Sequence, residues 1–415
     1  MGKVVATYTV RPARETPGGY RCVSDSDQVR ALTHAPTFYF YPPVNVSLES
    51  ATEILRHSLS EALVIFYPLA GRLHWIGGGR LELDCNALGA LLIAVESEGK
   101  VDDYGDFRPT PEIRALIPSV DYNKPIDELP LLLVQLTKFS CGSMSLGLGI
   151  SHTIADGLSA LHFISEWAKI ARGEQANSPP FLDRSVLLAP EHLTAPVFDH
   201  PEFGPQPLLI GKQDNMEERK RETTTLMYEA IAGHIWRSAC KARQHESQQP
   251  TLLSIIVDAR NRMEPPLPPR YFGNGTFRVT AETTSGELVS NSLGFASGKA
   301  RQAIEKATHE YLQSSLVYVK CQEDVTNFRN FHTVGCAKGA FYGNPNLEIT
   351  SWARLPIYGA DFGWGQEIYM GPGGIGYDGK VFVFPGQGQD GSFVVALRLQ
   401  VRHVDAFQKF FYEDI

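Results

Sequence analysis

Cysteine is scarce in this chain and never clustered. The six, at positions 22, 85, 141, 240, 321 and 336, form no CxxC pair and no Cys/His group with metal spacing. A disulfide framework and a structural metal site therefore lack sequence support, and the thiols read as reduced packing residues. Long hydrophobic runs are missing as well. No stretch approaches the roughly 20 apolar residues of a membrane span, and Met1 to Arg14 lacks the apolar centre of a secretory signal, so a cytoplasmic protein is expected. Basic residues are outnumbered, 38 Lys and Arg against 46 Asp and Glu, for a formal net charge of −8. Phosphate backbones call for clustered cations, so no nucleic-acid surface is expected, whereas a cationic partner is permitted. Walker loop, HExxH and GxSxG patterns are absent, which removes the usual signatures of phosphoryl transfer, zinc hydrolysis and the serine-hydrolase elbow.

What is present is an ordinary globular composition, 43% hydrophobic and 20% charged, spread over 415 residues. That is too long for one core, and two domains of roughly 200 residues with a cleft between them are expected. Ile54, Leu55, Leu59, Ala62, Leu63 and Phe66 fall on one helical face that stops before Pro68. Apolar runs at Leu131 to Leu136 and Met144 to Ile150 read as paired strands, and Leu158 to Ile170 recovers a helical period ending near Gly173. From Glu174 to about Arg221 periodicity fades, which reads as a crossover between units at 1–173 and 222–415. The second unit opens with a helix at Tyr228 to Arg243 and a strand at Leu252 to Val257. A long helix near Ala300 to Val319 and Gly-rich turns between short strands, such as Val381 to Phe384 and Phe393 to Leu399, are expected to follow.

Chemistry-bearing patterns are few. Ser151 to Gly157 reads SHTIADG, an HxxxD spacing in which His152 stands where a strand hands over to a helix, a placement that can expose one imidazole nitrogen to a cleft. With 12 histidines in the chain, the spacing alone equally describes a structural histidine. Asp361 to Gly365 reads DFGWG, two glycines flanking a tryptophan, and is either a structural turn or a place where an indole N–H donates. Gly371 to Gly376 and Gly386 to Gly391 satisfy GxGxxG formally, but strand-like runs follow them, so they read as turn glycines without a dinucleotide.

HTIADG and DFGWG together, in that order and roughly 200 residues apart, resemble the paired signatures of the plant BAHD acyltransferases. The resemblance extends along nearly the whole chain, through Thr33-His34-Ala35-Pro36-Thr37, Tyr67 to Leu73, Tyr228 to Arg237 and Tyr271-Phe272-Gly273-Asn274. Within that family Val257-Asp258-Ala259-Arg260 and the Asn346 to Pro356 stretch look like the hydroxycinnamoyl-CoA branch. Asn261 to Pro269, Phe341 to Asn346 and Phe411 to Ile415 look most like its spermidine-acylating members. Two departures stand out. Arg354 matches the position where shikimate-using relatives carry an arginine for the acceptor carboxylate, and the passage from Met227 into Tyr228 is abrupt where relatives carry a further helix and loop.

The resemblance implies an α/β fold of two similar-sized domains with mixed sheets and flanking helices, chloramphenicol acetyltransferase-like, with a solvent channel between them. It implies a monomer that takes hydroxycinnamoyl-CoA and a polyamine as substrates and needs no metal or further cofactor, the alternative acceptor being shikimate or quinate. His152 is then the general base and Trp364 the oxyanion donor. Asp156, Gly157, Asp361, Gly363 and Gly365 are structural, with Arg260 as the ion-pair partner of Asp361. His34, Thr37, Tyr39 and Arg354 are acceptor-side contacts. A polyamine adds a physical requirement: carboxylates must hold its distal ammonium groups while a drier centre lets one amine lose its proton.

Overall fold

The computed structural model describes residues 2–107, 109–210, 218–223, 228–330, 343–386 and 391–413, with backbone alone for 218–223. Cys336, the Met227–Tyr228 junction, Phe341 and Tyr342, 387–390 of the second glycine run and the last two residues lie outside them.

Among the described residues twelve strands build two six-stranded mixed sheets. In chain order they are β1 (Lys3–Val10), β2 (His34–Tyr41), β3 (Ala90–Ser97), β4 (Leu132–Phe139), β5 (Met144–Ser151), β6 (Glu218–Thr223), β7 (Pro250–Asp258), β8 (Thr276–Thr284), β9 (Leu347–Ser351), β10 (Tyr369–Pro372), β11 (Lys380–Pro385) and β12 (Phe393–Gln400). The first sheet runs β1-β3-β4-β5-β2-β10 and the second β8-β7-β9-β11-β12-β6. A small three-stranded sheet is formed by Tyr20–Cys22, Arg72–Gly77 and Arg80–Asp84.

Alternation along each strand decides which face meets the helices. On the first sheet α1 (Leu48–Ile65) and α2 (Gly157–Ala171) cover one face, and Trp167 Nε1 of α2 donates to Ser58 Oγ of α1 at 3.0 Å. In the second half, Leu253, Ile255 and Val257 of β7 join Phe277 and Val279 of β8 and Val381 and Val383 of β11 in a second core. That core includes Ile235 and Trp236 of α3 (Tyr228–Arg243) and Ala296 and Ala300 of α4 (Leu293–Glu305).

The expected helix near 300–319 is two, α4 and α5 (His309–Lys320), because Thr308 caps the second by accepting from Tyr311 N at 3.3 Å. A closing helix, α6 (Val401–Glu413), was not anticipated, although Val404, Phe407 and Phe411 lie on one face. Gly371 belongs to strand β10, opposite Phe38, so the first glycine run is partly strand. The two units exchange pieces: β10, from the second half of the chain, closes the first sheet beside β2, and β6, from the crossover, edges the second sheet beside β12. Among the described residues no helix is long and apolar enough to cross a membrane.

Candidate active site at the junction of the sheets

The loop after β5 carries His152, and both halves of the chain hold it. His152 N donates to Thr33 O at 2.9 Å, and its carbonyl accepts from Asn274 Nδ2 at 2.9 Å. Asn274 is wholly buried and also donates to Asp27 Oδ1 at 2.7 Å. The other oxygen of Asp27 takes Arg184 at 2.7 Å, and Arg184 donates in turn to Ile154 O at 2.7 Å. Four residues after His152, Asp156 caps α2 by accepting from Ser159 N at 3.0 Å, and accepts Gly275 N at 2.9 Å. Arg260 grips both its oxygens, each at 2.9 Å. Burial pushes the Asp156 carboxyl up, but Arg260 and Ser159 outweigh it and hold the group below the usual carboxylate range. Thus the spacing of HxxxD puts the histidine on the loop and the aspartate on the clamp that fixes it.

The imidazole itself is half-buried, and Nδ1 is buried with no hydrogen bond of normal geometry among the described residues. Burial is the main force lowering its pKa. Arg30 adds to it, the residue's own carbonyl and Asp156 oppose it, and Lys380 adds to it again. His152 is therefore neutral at physiological pH, the state in which a histidine can accept a proton. Arg30 is buried beneath the loop, donating to Thr276 O, and its own pKa is pushed down to about 10 by burial and by Arg278. Lys380 comes from β11 and is bonded to Glu348 and to Thr350 Oγ1, the latter at 2.7 Å. Cations from both halves of the chain thus act on the ring.

The second signature is not brought to this loop. Trp364 is buried in the first core, its ring 5.2 Å from that of Tyr41 and 5.7 Å from that of Phe362. Tyr41 faces Met144, while His34, at the other end of β2, faces Ser151 beside His152. Seven residues of strand separate the two ends, about 23 Å at 3.3 Å per residue. The expected oxyanion role of Trp364 is corrected to a packing one. Asp361 is corrected too: Arg260 belongs to Asp156, and Asp361 Oδ1 instead accepts the backbone N–H groups of Gly363, Trp364 and Gly365 at 2.8, 3.1 and 3.0 Å. Gly363 and Gly365 adopt φ of +93° and +85°, which turns those amides onto one carboxylate oxygen. Gly157 opens α2, where an added Cβ would stand 3.1 Å from Leu355 Cδ1.

Alternation on β2 puts Thr37 and Tyr39 on one face and His34 on the other. Tyr39 lines a cavity of ≈ 360 Å³ between α2, Arg260, Tyr271 and the 356–360 segment, next to the Asp156 clamp. His34 is held apart from it: Nε2–H donates to Pro130 O at 2.7 Å and Nδ1 accepts from Tyr122 at 3.1 Å. Arg354 is exposed. Residues missed in the sequence are Asp27, Arg184, Arg30 and Lys380. Only Asp27 carried a signal, since Ser24 to Asp27 spells a capping box whose two bonds are both made.

The Transferase family model matches residues 3–228 and 212–414. A hydroxycinnamoyl-CoA:piscidic acid hydroxycinnamoyltransferase of Actaea racemosa is 47% identical over 99% of both chains. The shikimate O-hydroxycinnamoyltransferase of Nicotiana tabacum is 42% identical over 99% of both. A hydroxycinnamoyl-CoA:5-hydroxyanthranilate N-hydroxycinnamoyltransferase of Avena sativa is 38% identical over 96% of this chain and 97% of its own. The solved structure of vinorine synthase shares the fold, with a TM-score of 0.76 at 22% identity over 98% of this chain and 96% of that one. The chain belongs to the BAHD family of acyl-CoA-dependent acyltransferases. It is an enzyme with the two-domain α/β fold of that family, and its relatives are hydroxycinnamoyltransferases.

Proposed function

We propose that the protein transfers a coumaroyl, caffeoyl or feruloyl group from its CoA thioester to an amine of spermidine, with His152 as general base and no covalent acyl-enzyme. The observation that carries the chemistry is the neutral imidazole fixed on a loop clamped from both halves of the chain. The acceptor nitrogen, bound with its lone pair free, attacks the thioester carbonyl carbon while His152 takes the N–H proton. The tetrahedral oxyanion then collapses, the C–S bond breaks, and the imidazolium returns the proton to the departing thiolate. Arg30 and Lys380, which favour a neutral ring, also favour negative charge developing beside it. The polyamine is supported by the spermidine-like segments and the acidic balance of −8. We propose a cytoplasmic monomer, with units at 1–173 and 222–415 joined by 174–221.

A second reading, transfer to a hydroxyl of shikimate, quinate or another hydroxy acid, has its own support. Two of the similar relatives are named for piscidic acid and shikimate, Arg354 is exposed, and the cations near His152 suit an anionic acceptor. A panel of coumaroyl-, caffeoyl- and feruloyl-CoA against spermidine, shikimate and quinate, read by product mass, decides between them. Ester formation without amide overturns the first reading, and undiminished turnover by H152A overturns the role of the base in both.

A further inference from the structure

Pairing in the second sheet puts Ser254, Glu348 and Lys380 in one row across β7, β9 and β11. Arg278 of β8, opposite Ile256, and the Thr350–Phe382 pair make the next row. The alternate residues Leu253, Ile255, Ile349, Val381 and Val383 are sealed in the second core, so the two rows share the opposite face of the sheet. That face is only partly covered: Ile256, Arg278, Thr350, Lys380 and Phe382 are half-buried. One end of it lies at the His152 loop. β7, β9 and β11 run parallel, and Asp258 at the end of β7 pairs with Thr276, two residues beyond the Asn274 whose amide holds the His152 carbonyl at 2.9 Å. Lys380 leans towards that end, since its ammonium donates to Thr350 Oγ1 at 2.7 Å, two residues further along the neighbouring strand than its own register partner Glu348. Its charge acts on the imidazole and lowers the pKa of that ring.

A cation this far from water is ordinarily neutralised in full. Lys380 is not, because its partner Glu348 is shared with Arg278 at 3.6 Å, and the trio keeps an excess positive charge. An ammonium also has three N–H groups to donate. Glu348 and Thr350 take two of them, and the third has no hydrogen-bond partner among the described residues. A carboxylate arriving on the half-buried face would balance the charge and accept that N–H, whereas a polyamine would be repelled. We propose that Lys380 is a specificity-determining residue that holds the carboxylate of a hydroxy-acid acceptor while the acceptor's hydroxyl meets His152. This rests on the hydroxy-acid reading above and names the residue that would select for it.

The test is ester formation from coumaroyl-CoA with shikimate and quinate, each beside its uncharged methyl ester, by the wild type, K380Q and E348Q. The ratio of kcat/KM for acid over methyl ester isolates recognition of the carboxylate, because a loss in the chemical step falls on both acceptors and cancels. The wild type should favour the acid, and K380Q should lower the ratio about 10–100-fold, the range a hydrogen bond to a charged group is worth. E348Q, which frees the ammonium from its counter-ion, should raise the ratio, and it decides the matter if K380Q does not fold. A merely structural role would move both ratios the same way or neither. An unchanged ratio in K380Q, a ratio that E348Q fails to raise, or a wild type that takes acid and methyl ester equally overturns the role of Lys380 and leaves hydroxy-acid transfer standing. Amide from spermidine with no ester from shikimate or quinate overturns both.

Discussion

Arg260 and Asp156 meet in a bidentate pair, both nitrogen–oxygen distances 2.9 Å, with the aspartate 2% exposed. Because Arg260 follows β7 in the second half and Asp156 opens α2 in the first, the pair ties the two halves together at the base-bearing loop. Removing one partner strands the other's charge away from water, so D156A and R260A should each cost about 3–5 kcal/mol. D156A/R260M should recover part of that stability without recovering turnover, because the loop then lacks its cap. Thermal melts and kcat/KM on the three variants check this, and additive losses in the double variant contradict it.

Burial first, and Arg30 next, depress the pKa of His152 below its usual 6.5. A base must be unprotonated, so the part of the acidic limb of kcat/KM that belongs to His152 lies below pH 6.5. Lys380 adds its charge in the same direction, so K380Q should move the limb to higher pH while H152A abolishes turnover. A limb that does not move in K380Q removes the cation from the account of the base.

Trp364 offers a sharp contrast with His152. Its indole Nε1 is buried and bonded to nothing among the described residues, so W364F deletes a donor that stabilises no contact there. Turnover should survive that change nearly intact, whereas W364A should lose about 3–5 kcal/mol through the void left beside Tyr41 and Phe362. A fall of a hundredfold or more in kcat for a folded W364F would return the indole to the chemistry. Asp361 is predicted to act likewise on folding: D361A leaves three amides without their acceptor and should cost about 1–3 kcal/mol.

These contrasts mark how far the residues alone could be read. The paired strands β4 and β5 and the helices α1, α2 and α3 followed from apolar runs, helical period and turn signals. Lengths were less legible: the split between α4 and α5 depends on the cap at Thr308, and α6 on partners far away in sequence. HxxxD located the loop that carries His152, yet its clamp is made by Asn274, Asp27 and Arg184, brought together only by folding. Arg260 was paired with the wrong aspartate because two acids compete for one cation, and only the turn at Gly363 and Gly365 shows that Asp361 is already satisfied by backbone.

His34 supplies a pH dependence separate from catalysis. Burial lowers its pKa to about 4, outweighing the opposing hydrogen bond to the Pro130 carbonyl. An unfolded histidine titrates near 6.5, so between the two values the unfolded chain binds more protons than the folded one. The stability that a neutral His34 contributes is therefore complete above pH 6.5 and is lost as pH falls towards 4. His245, lowered to about 4 mainly by burial, adds to the same slope. H34Q keeps the ring site polar but cannot titrate, and should flatten the fall of Tm between pH 6.5 and 4 even if its Tm at pH 7.5 is lower. The check is a series of thermal melts at matched ionic strength. Parallel curves for the wild type and H34Q would show that the proton taken up on acid unfolding goes elsewhere.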